Sequence, residues 1–181
     1  MDNCSKQVGY KYLLTYQYSS VICDLTKEFC TLYYPGREFL RQRDQMNQAA
    51  RSGKQNISEG YSLESLESYI KLLGVAKGSI RELLEDYEDY LRQHNLKIWP
   101  KDSIKMRDLR ELRVVREPFP HLPQHPHLPH KPEFAANLMI MLCQRTTYLL
   151  EKQIESLKKK FVNEGGFREN LFKLRMKKRN S

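Results

Sequence analysis

The chain has 181 residues, of which 40% are hydrophobic and 29% charged, and it carries a net charge of +9. That length supports one domain with a sizeable core, and the composition suits a soluble globular protein. No run of about 18 apolar residues occurs, so neither a membrane span nor a membrane partner is expected, and MDNCSKQVGYKYLL has no export signal, so the expected compartment is the cytoplasm.

Residues 9–33 read as a first helix. Leu14, Tyr18, Val21, Leu25 and Leu32 recur at three- and four-residue steps, Ile22 and Phe29 widen the face, and Pro35-Gly36 ends it. Tyrosine is dense here, as suits a core edge or a subunit interface. A second helix is predicted over 37–59. Its inward stripe would be Leu40, Met46 or Gln45, Ala49, Ser52 or Gly53, and Asn56-Ile57, an unusually small and polar face. Small residues let helix backbones approach, and a buried polar stripe must find partners. Arg41, Arg43, Arg51 and Lys54 are the basic positions of this helix and further candidates for binding nucleic acid.

Glu59-Gly60 reads as a break. A third helix follows over 63–94, N-capped by Ser62. Leu63, Leu66, Ile70, Leu73, Ile80, Leu84, Tyr87 and Leu91 make one apolar stripe; Tyr69, Leu72, Ala76, Ser79, Leu83 and Tyr90 make a second. A helix with two apolar faces is central or meets another subunit, which favours a homo-oligomer. Gly74 and Gly78 form a small-xxx-small pair that would admit a neighbouring helix. Glu82, Glu85, Asp86, Glu88 and Asp89 mark the solvated face.

Residues 95–133 form a crossover. A short helix is predicted over 102–116, with Ile104, Met106, Leu109, Leu112 and Val115 inward. EPFPHLPQHPHLPHKPE then excludes regular structure, because proline removes donors and disfavours helix. A fourth long helix covers 134–162 and stops at Gly165-Gly166, and FRENLFKLRMKKRN has the pattern of a short amphipathic helix. No strand-like alternation of useful length appears. The expected fold is all-α: an up-down-up-down antiparallel four-helix bundle over 1–165, with a Pro/His-rich crossover between helices three and four, and a basic tail over 166–181.

The charge is uneven. Residues 158–181 hold nine Lys/Arg and two Glu, and the remaining 157 residues are close to neutral. Lys158, Lys159, Lys160, Arg168, Lys173, Arg175, Lys177, Lys178 and Arg179 therefore form the leading candidate for binding phosphates, with Phe172 placed to stack on a base. Arg107, Arg110, Arg113 and Arg116 recur every three residues, a ribbon that could follow phosphates or pair with acidic neighbours.

Other chemistry is poorly supported. Cys4, Cys23, Cys30 and Cys143 form no CxxC pair and read as buried reduced thiols. His121, His125, His127 and His130 could donate to a metal, but a proline-rich strap fixes no geometry, so no metal or other cofactor is expected. Arg116 and His121 have the Arg-x4-His spacing of helical HEPN ribonucleases, with Pro118 and Pro120 between them. Glu59 could serve as an acid or base, although a role tying helices together is the favoured reading. No phosphate-cradling glycine loop or nucleophile elbow is present, so no enzyme activity is expected.

Three motifs occur in order: Arg43, Gln45-Met46, Ala49-Ala50 and Ser52; Asn56-Ile57-Ser58-Glu59-Gly60; and Ala76-Lys77-Gly78-Ser79-Ile80-Arg81-Glu82-Leu83. Together they resemble the four-helix-bundle family of 23S rRNA intervening-sequence proteins. The resemblance implies an up-down bundle that assembles into a homopentameric barrel, and it establishes no enzyme activity. Some members of that family are accessory subunits of retroelement reverse transcriptases, in which a basic barrel engages polymerase and nucleic acid. On this resemblance Gln45, Ala49, Ser52, Asn56, Glu59, Gly60, Gly74, Gly78, Ser79 and Glu82 would be helix- and subunit-packing positions. The expected function is binding of RNA or DNA phosphates, or of a protein that handles nucleic acid. The alternatives are a protein-interaction scaffold and a HEPN-like ribonuclease.

Overall fold

The computed structural model describes residues 9–116 and 127–179. They are helical, with no strand among them. The long helices are α1 (Leu14–Tyr33), α2 (Leu40–Ser62) and α3 (Leu66–Gln93), then α6 (Pro132–Glu164) after the short α4 (Ile104–Glu111) and α5 (Arg113–Arg116) of the crossover. A final helix, α7 (Phe167–Arg179), follows α6, and single 3-10 turns precede α1 (Tyr10–Tyr12) and α2 (Arg37–Phe39). Each of the four long helices packs on two others: α1 on α2 and α6, and α3 on α2 and α6.

The core follows the predicted stripes, with informative departures. Tyr18, Val21, Ile22, Leu25 and Phe29 are buried, whereas Leu14 and Leu32 at the ends of α1 are half exposed. α1 also buries Thr15, Gln17, Ser19, Ser20 and Thr26, which apolar periodicity alone missed. Most of these polar groups are satisfied locally. Ser20 Oγ donates to the Tyr16 carbonyl (3.0 Å) and Thr26 Oγ1 to that of Ile22 (2.6 Å), with the Tyr87 hydroxyl of α3 a further partner of Thr26 at 2.9 Å, while Ser19 Oγ is buried without one. Thr15 Oγ1 reaches Gln153 Oε1 (2.8 Å), and Gln153 Nε2 donates to the Tyr69 hydroxyl (2.6 Å), linking α1, α6 and α3.

α2 does not stop at Glu59-Gly60. It runs to Ser62, and the chain turns extended at Leu63 (φ −80°, ψ 145°). Gly60 is a contact glycine: a Cβ there would lie 2.7 Å from Cδ2 of Tyr69. Gly53 has the same role, with Ile80 Cδ1 at 2.6 Å from such a Cβ. The inward stripe is Met46, Ala49, Ala50, Gly53, Ile57 and Gly60, so the open choices resolve to Met46 and Gly53, and Leu40 turns outward. The cap of α3 is Ser65 rather than Ser62; its Oγ accepts the Ser68 N–H at 3.3 Å.

α3 packs on both α2 and α6, burying Leu73, Ile80, Tyr87 and Leu91 of one stripe and Tyr69, Ala76, Leu83 and Tyr90 of the other, while Leu63 stays exposed. The stripes therefore do not by themselves require a second subunit. Asp86 also departs from the solvated face. It turns toward α2, where Gln42 Nε2 donates to its Oδ1 (3.0 Å) and its Oδ2 is buried without a hydrogen-bond partner.

The crossover is anchored to α6. Asn137, fully buried, accepts the Trp99 N–H (2.9 Å) and donates to the Lys97 carbonyl (2.9 Å), and the Trp99 indole N–H donates to Glu133. The helix predicted over 102–116 splits at Leu112 into α4 and α5, capped at its start by Ser103. Met106, Leu109, Val114 and Val115 face inward, while Ile104 and Leu112 are exposed. The Tyr18 hydroxyl donates to the Val115 carbonyl (2.6 Å), fixing this segment on α1. Among the described residues no helix is long and apolar enough to cross a membrane.

Candidate nucleic-acid interface

The basic tail starts from a sharp helix end. Gly165 follows α6 with φ 78°, a backbone conformation that favours glycine, and its N–H bonds the Phe161 carbonyl at 2.9 Å. The chain restarts at once. Glu169, in the first turn of α7, returns a carboxylate oxygen to the Gly166 N–H (3.1 Å), one half of a capping box, and its charge suits the positive helix end. Lys177, Lys178 and Arg179 lie in the last turn, where cations stabilise the negative end.

α7 buries no residue, and its first turn lines an open cleft with Ser65, Glu67, Ser68 and Lys71 at the start of α3. It carries Arg168, Lys173, Arg175, Lys177, Lys178 and Arg179 against the single acid Glu169. Lys158, Lys159 and Lys160 are exposed in the last turns of α6, and Lys160 reaches Glu164 at 3.8 Å. The tail cations therefore all face solvent. Such a group can neutralise phosphates and release their counterions.

The predicted α2 cations do not join that group. Arg41 lines a polar cleft between α2 and α3 with Asp44, Gln45, Gln48, Ser52, Ser79 and Glu82, where charge is mixed. Arg51 and Lys54 line a second cleft on the α1 side of α2, with Asn56, Glu59 and Lys27. Lys27 was missed in the sequence, where only its position four residues after Cys23 on α1 hinted at it. Arg43 is half-buried, and Lys54 sits over the Tyr16 ring at 5.7 Å.

The motif residues line these clefts and tie the helices. Ser52 Oγ and Ser79 Oγ lie 2.9 Å apart across α2 and α3, and Asn56 Nδ2 donates to the Ser52 carbonyl (2.9 Å) and to its Oγ (3.2 Å). Ala49 is buried, whereas Gln45, Glu59 and Glu82 are exposed. Gly74 and Gly78 bring no helix of this chain close: nothing lies within 4 Å of a Cβ built on either.

The remaining candidates are quickly placed. Arg107, Arg110, Arg113 and Arg116 are exposed, but the break at Leu112 divides the ribbon; Arg110 donates to the Lys101 carbonyl (2.8 Å) and Arg116 pairs with Glu111 (3.0 Å). His121 and His125 lie outside the described residues, as does Cys4. No group of metal-ligating side chains occurs among the described residues. Cys23, Cys30 and Cys143 are free and buried. Burial pushes the Cys30 thiol up to about 12 and raises those of Cys23 and Cys143, so all three are protonated at neutral pH and poor nucleophiles. No family model, curated protein or solved structure matches the chain.

Proposed function

We propose that this chain is a non-enzymatic helical-bundle protein that binds the phosphate backbone of nucleic acid through its C-terminal arm. The observation that carries this reading is α7: an exposed helix with six cations and one acid, joined by a two-glycine break to a nearly neutral body. The long helices would form an up-down-up-down antiparallel four-helix bundle. The short connections between α1 and α2 and between α2 and α3 support that topology, because a few residues join only antiparallel neighbours. The three motifs of α2 and α3 support membership among the intervening-sequence proteins, and with it a homopentamer and a nucleic-acid-handling partner such as a reverse transcriptase. Free buried thiols support a reducing, cytoplasmic setting.

The test is binding to labelled RNA and DNA across a salt series, with a truncation ending at Gly165 beside the full chain. Six to nine phosphate contacts predict an affinity loss of about a thousandfold or more between roughly 50 and 200 mM salt. The truncation should remove most of the binding. Absence of binding at low salt overturns the reading. It would favour a second one, a protein-interaction scaffold, whose supporting observation is the exposed apolar side chains on the same arm. A light-scattering mass equal to one chain would refute the oligomer.

A further inference from the structure

The cations of α7 account for only part of its surface. Phe167, Leu171, Phe172, Leu174 and Met176 are all between 37% and 64% exposed, although the first turn of the helix, with Phe167, lines an open cleft with Ser65, Ser68 and Lys71 of the α3 start. Phosphate neutralisation gives these side chains no role, and two of them are aromatic.

Their placement is ordered. At 3.6 residues per turn, Arg168, Arg175 and Arg179 fall within one arc of about 40° and form a row along the helix. Phe167 and Leu171, with Lys178 between them, border that row on one side, and Phe172 and Met176 border it on the other. This half of the helix thus reads as an edge of two apolar side chains and a lysine, an arginine row and an apolar edge. Each phenylalanine is followed in sequence by a cation, Arg168 or Lys173.

Resting on the phosphate-binding reading above, we propose that the arm binds single-stranded nucleic acid in preference to duplex, with Phe167 and Phe172 as stacking platforms for unpaired bases. The arginine row takes the backbone phosphates. A flexible strand can then lay bases over either edge, because every base offers a π-face and none needs to be read by hydrogen bonds. Duplex offers the same phosphates, but its bases are already stacked and paired, so the two aromatic edges gain nothing from it. Both sources of affinity, charge and base stacking, are supplied at once only by a single strand.

The experiment compares the full chain with Phe167→Ala, Phe172→Ala and the double variant. Each is measured by fluorescence anisotropy against a labelled single-stranded oligonucleotide and a duplex of the same length, across a salt series. Neither phenylalanine is buried, so the substitutions leave the core intact, which circular dichroism checks. Tighter single-strand binding is expected in the parent. Each alanine should weaken it by about tenfold or more, with the salt slope and duplex affinity unchanged. Equal affinity for single strand and duplex overturns the proposal, as does parental single-strand binding by the double variant. In both cases a steep salt dependence would leave phosphate binding standing. Loss of all binding by the parent overturns both readings. A double variant that binds single strands normally but no longer sediments with anionic phospholipid vesicles, or no longer self-associates, overturns the proposal by assigning the apolar edges elsewhere.

Discussion

Helices α6 and α7 are separated by two glycines, yet they are helical for different reasons. The first half of α6 is buried on nearly every side: Ala135, Ala136, Asn137, Leu138, Met139 and Ile140 form an unbroken inaccessible run. α7 is exposed from end to end. Burial stabilises the one, and only the Glu169 cap and the terminal charges stabilise the other. A 13-residue helix without packing is marginal in water. The body's helices are therefore held by burial, whereas the arm's helix rests on local terms.

The sharpest way to test this contrast is to damage each part in turn. Ile80 is fully buried between α3 and the contact glycine Gly53. Ile80→Ala should cost about 3 kcal/mol in denaturant unfolding. Removal of everything after Gly165 should shift the same transition by less than about 0.5 kcal/mol. A large loss on truncation would mean that the arm packs on the body after all.

A smaller effect probes how tightly α2 and α3 meet. The Tyr69 ring lies against Gly60 at one end and has its hydroxyl held by Gln153 at the other. It has little freedom to retreat from a new methyl. Gly60→Ala should therefore destabilise by about 1–2 kcal/mol, overpacking outweighing the better helix propensity of alanine. Crevice-free packing at Gly60 would be disproved by an alanine variant more stable than the parent.

Asp86 gives the body a pH dependence. Burial raises its carboxyl above the usual range, the Gln42 hydrogen bond opposes this, and Glu82, Asp89 and Glu85 add to the rise. A raised carboxyl disfavours the ionised native state. The cost is present in full above the raised value and disappears as pH falls below the ordinary carboxylate value of about 3.9. Asp86→Asn keeps the acceptor for Gln42 and should stabilise at pH 7 by up to about 1 kcal/mol, a figure reduced for partial solvent access. The gain should shrink toward zero near pH 4. Unfolding curves at the two pH values measure it, and a gain that grows in acid would reverse the assignment.

Much of this architecture was legible because helices announce themselves by period. The third-helix stripes and the glycine stop after α6 needed only spacing and propensity. The failures share another cause. Gly60 was read as a break because a glycine's intrinsic cost in a helix is local, whereas its benefit here is a contact with Tyr69, six residues past the turn. The buried hydroxyls of α1 were missed because back-bonding to the preceding turn leaves no trace in hydrophobicity. Asp86 looked solvated by its neighbours in sequence, and only Gln42 on another helix shows otherwise. In the candidate interface, the tail was found from charge alone. Charge could not show that Arg41 lies in one cleft and Arg51 and Lys54 in another.

The smallest expected effect bears on the oligomer. Gly74 and Gly78 occupy mid-helix positions of α3 with open space where a side chain would go. In a lone chain, nothing compensates for their backbone entropy. Gly74→Ala and Gly78→Ala should each then stabilise α3 by about 0.5–1 kcal/mol without changing the light-scattering mass. If instead a second copy lays a helix across this gap, the added methyls meet its backbone. The mass would then fall or the assembly weaken on dilution, even as the isolated chain becomes more stable. Stability alone rises when the surface is bare, and stability and mass move in opposite directions when it is an interface, so the pair of alanines separates the cases that the α3 stripes alone leave joined.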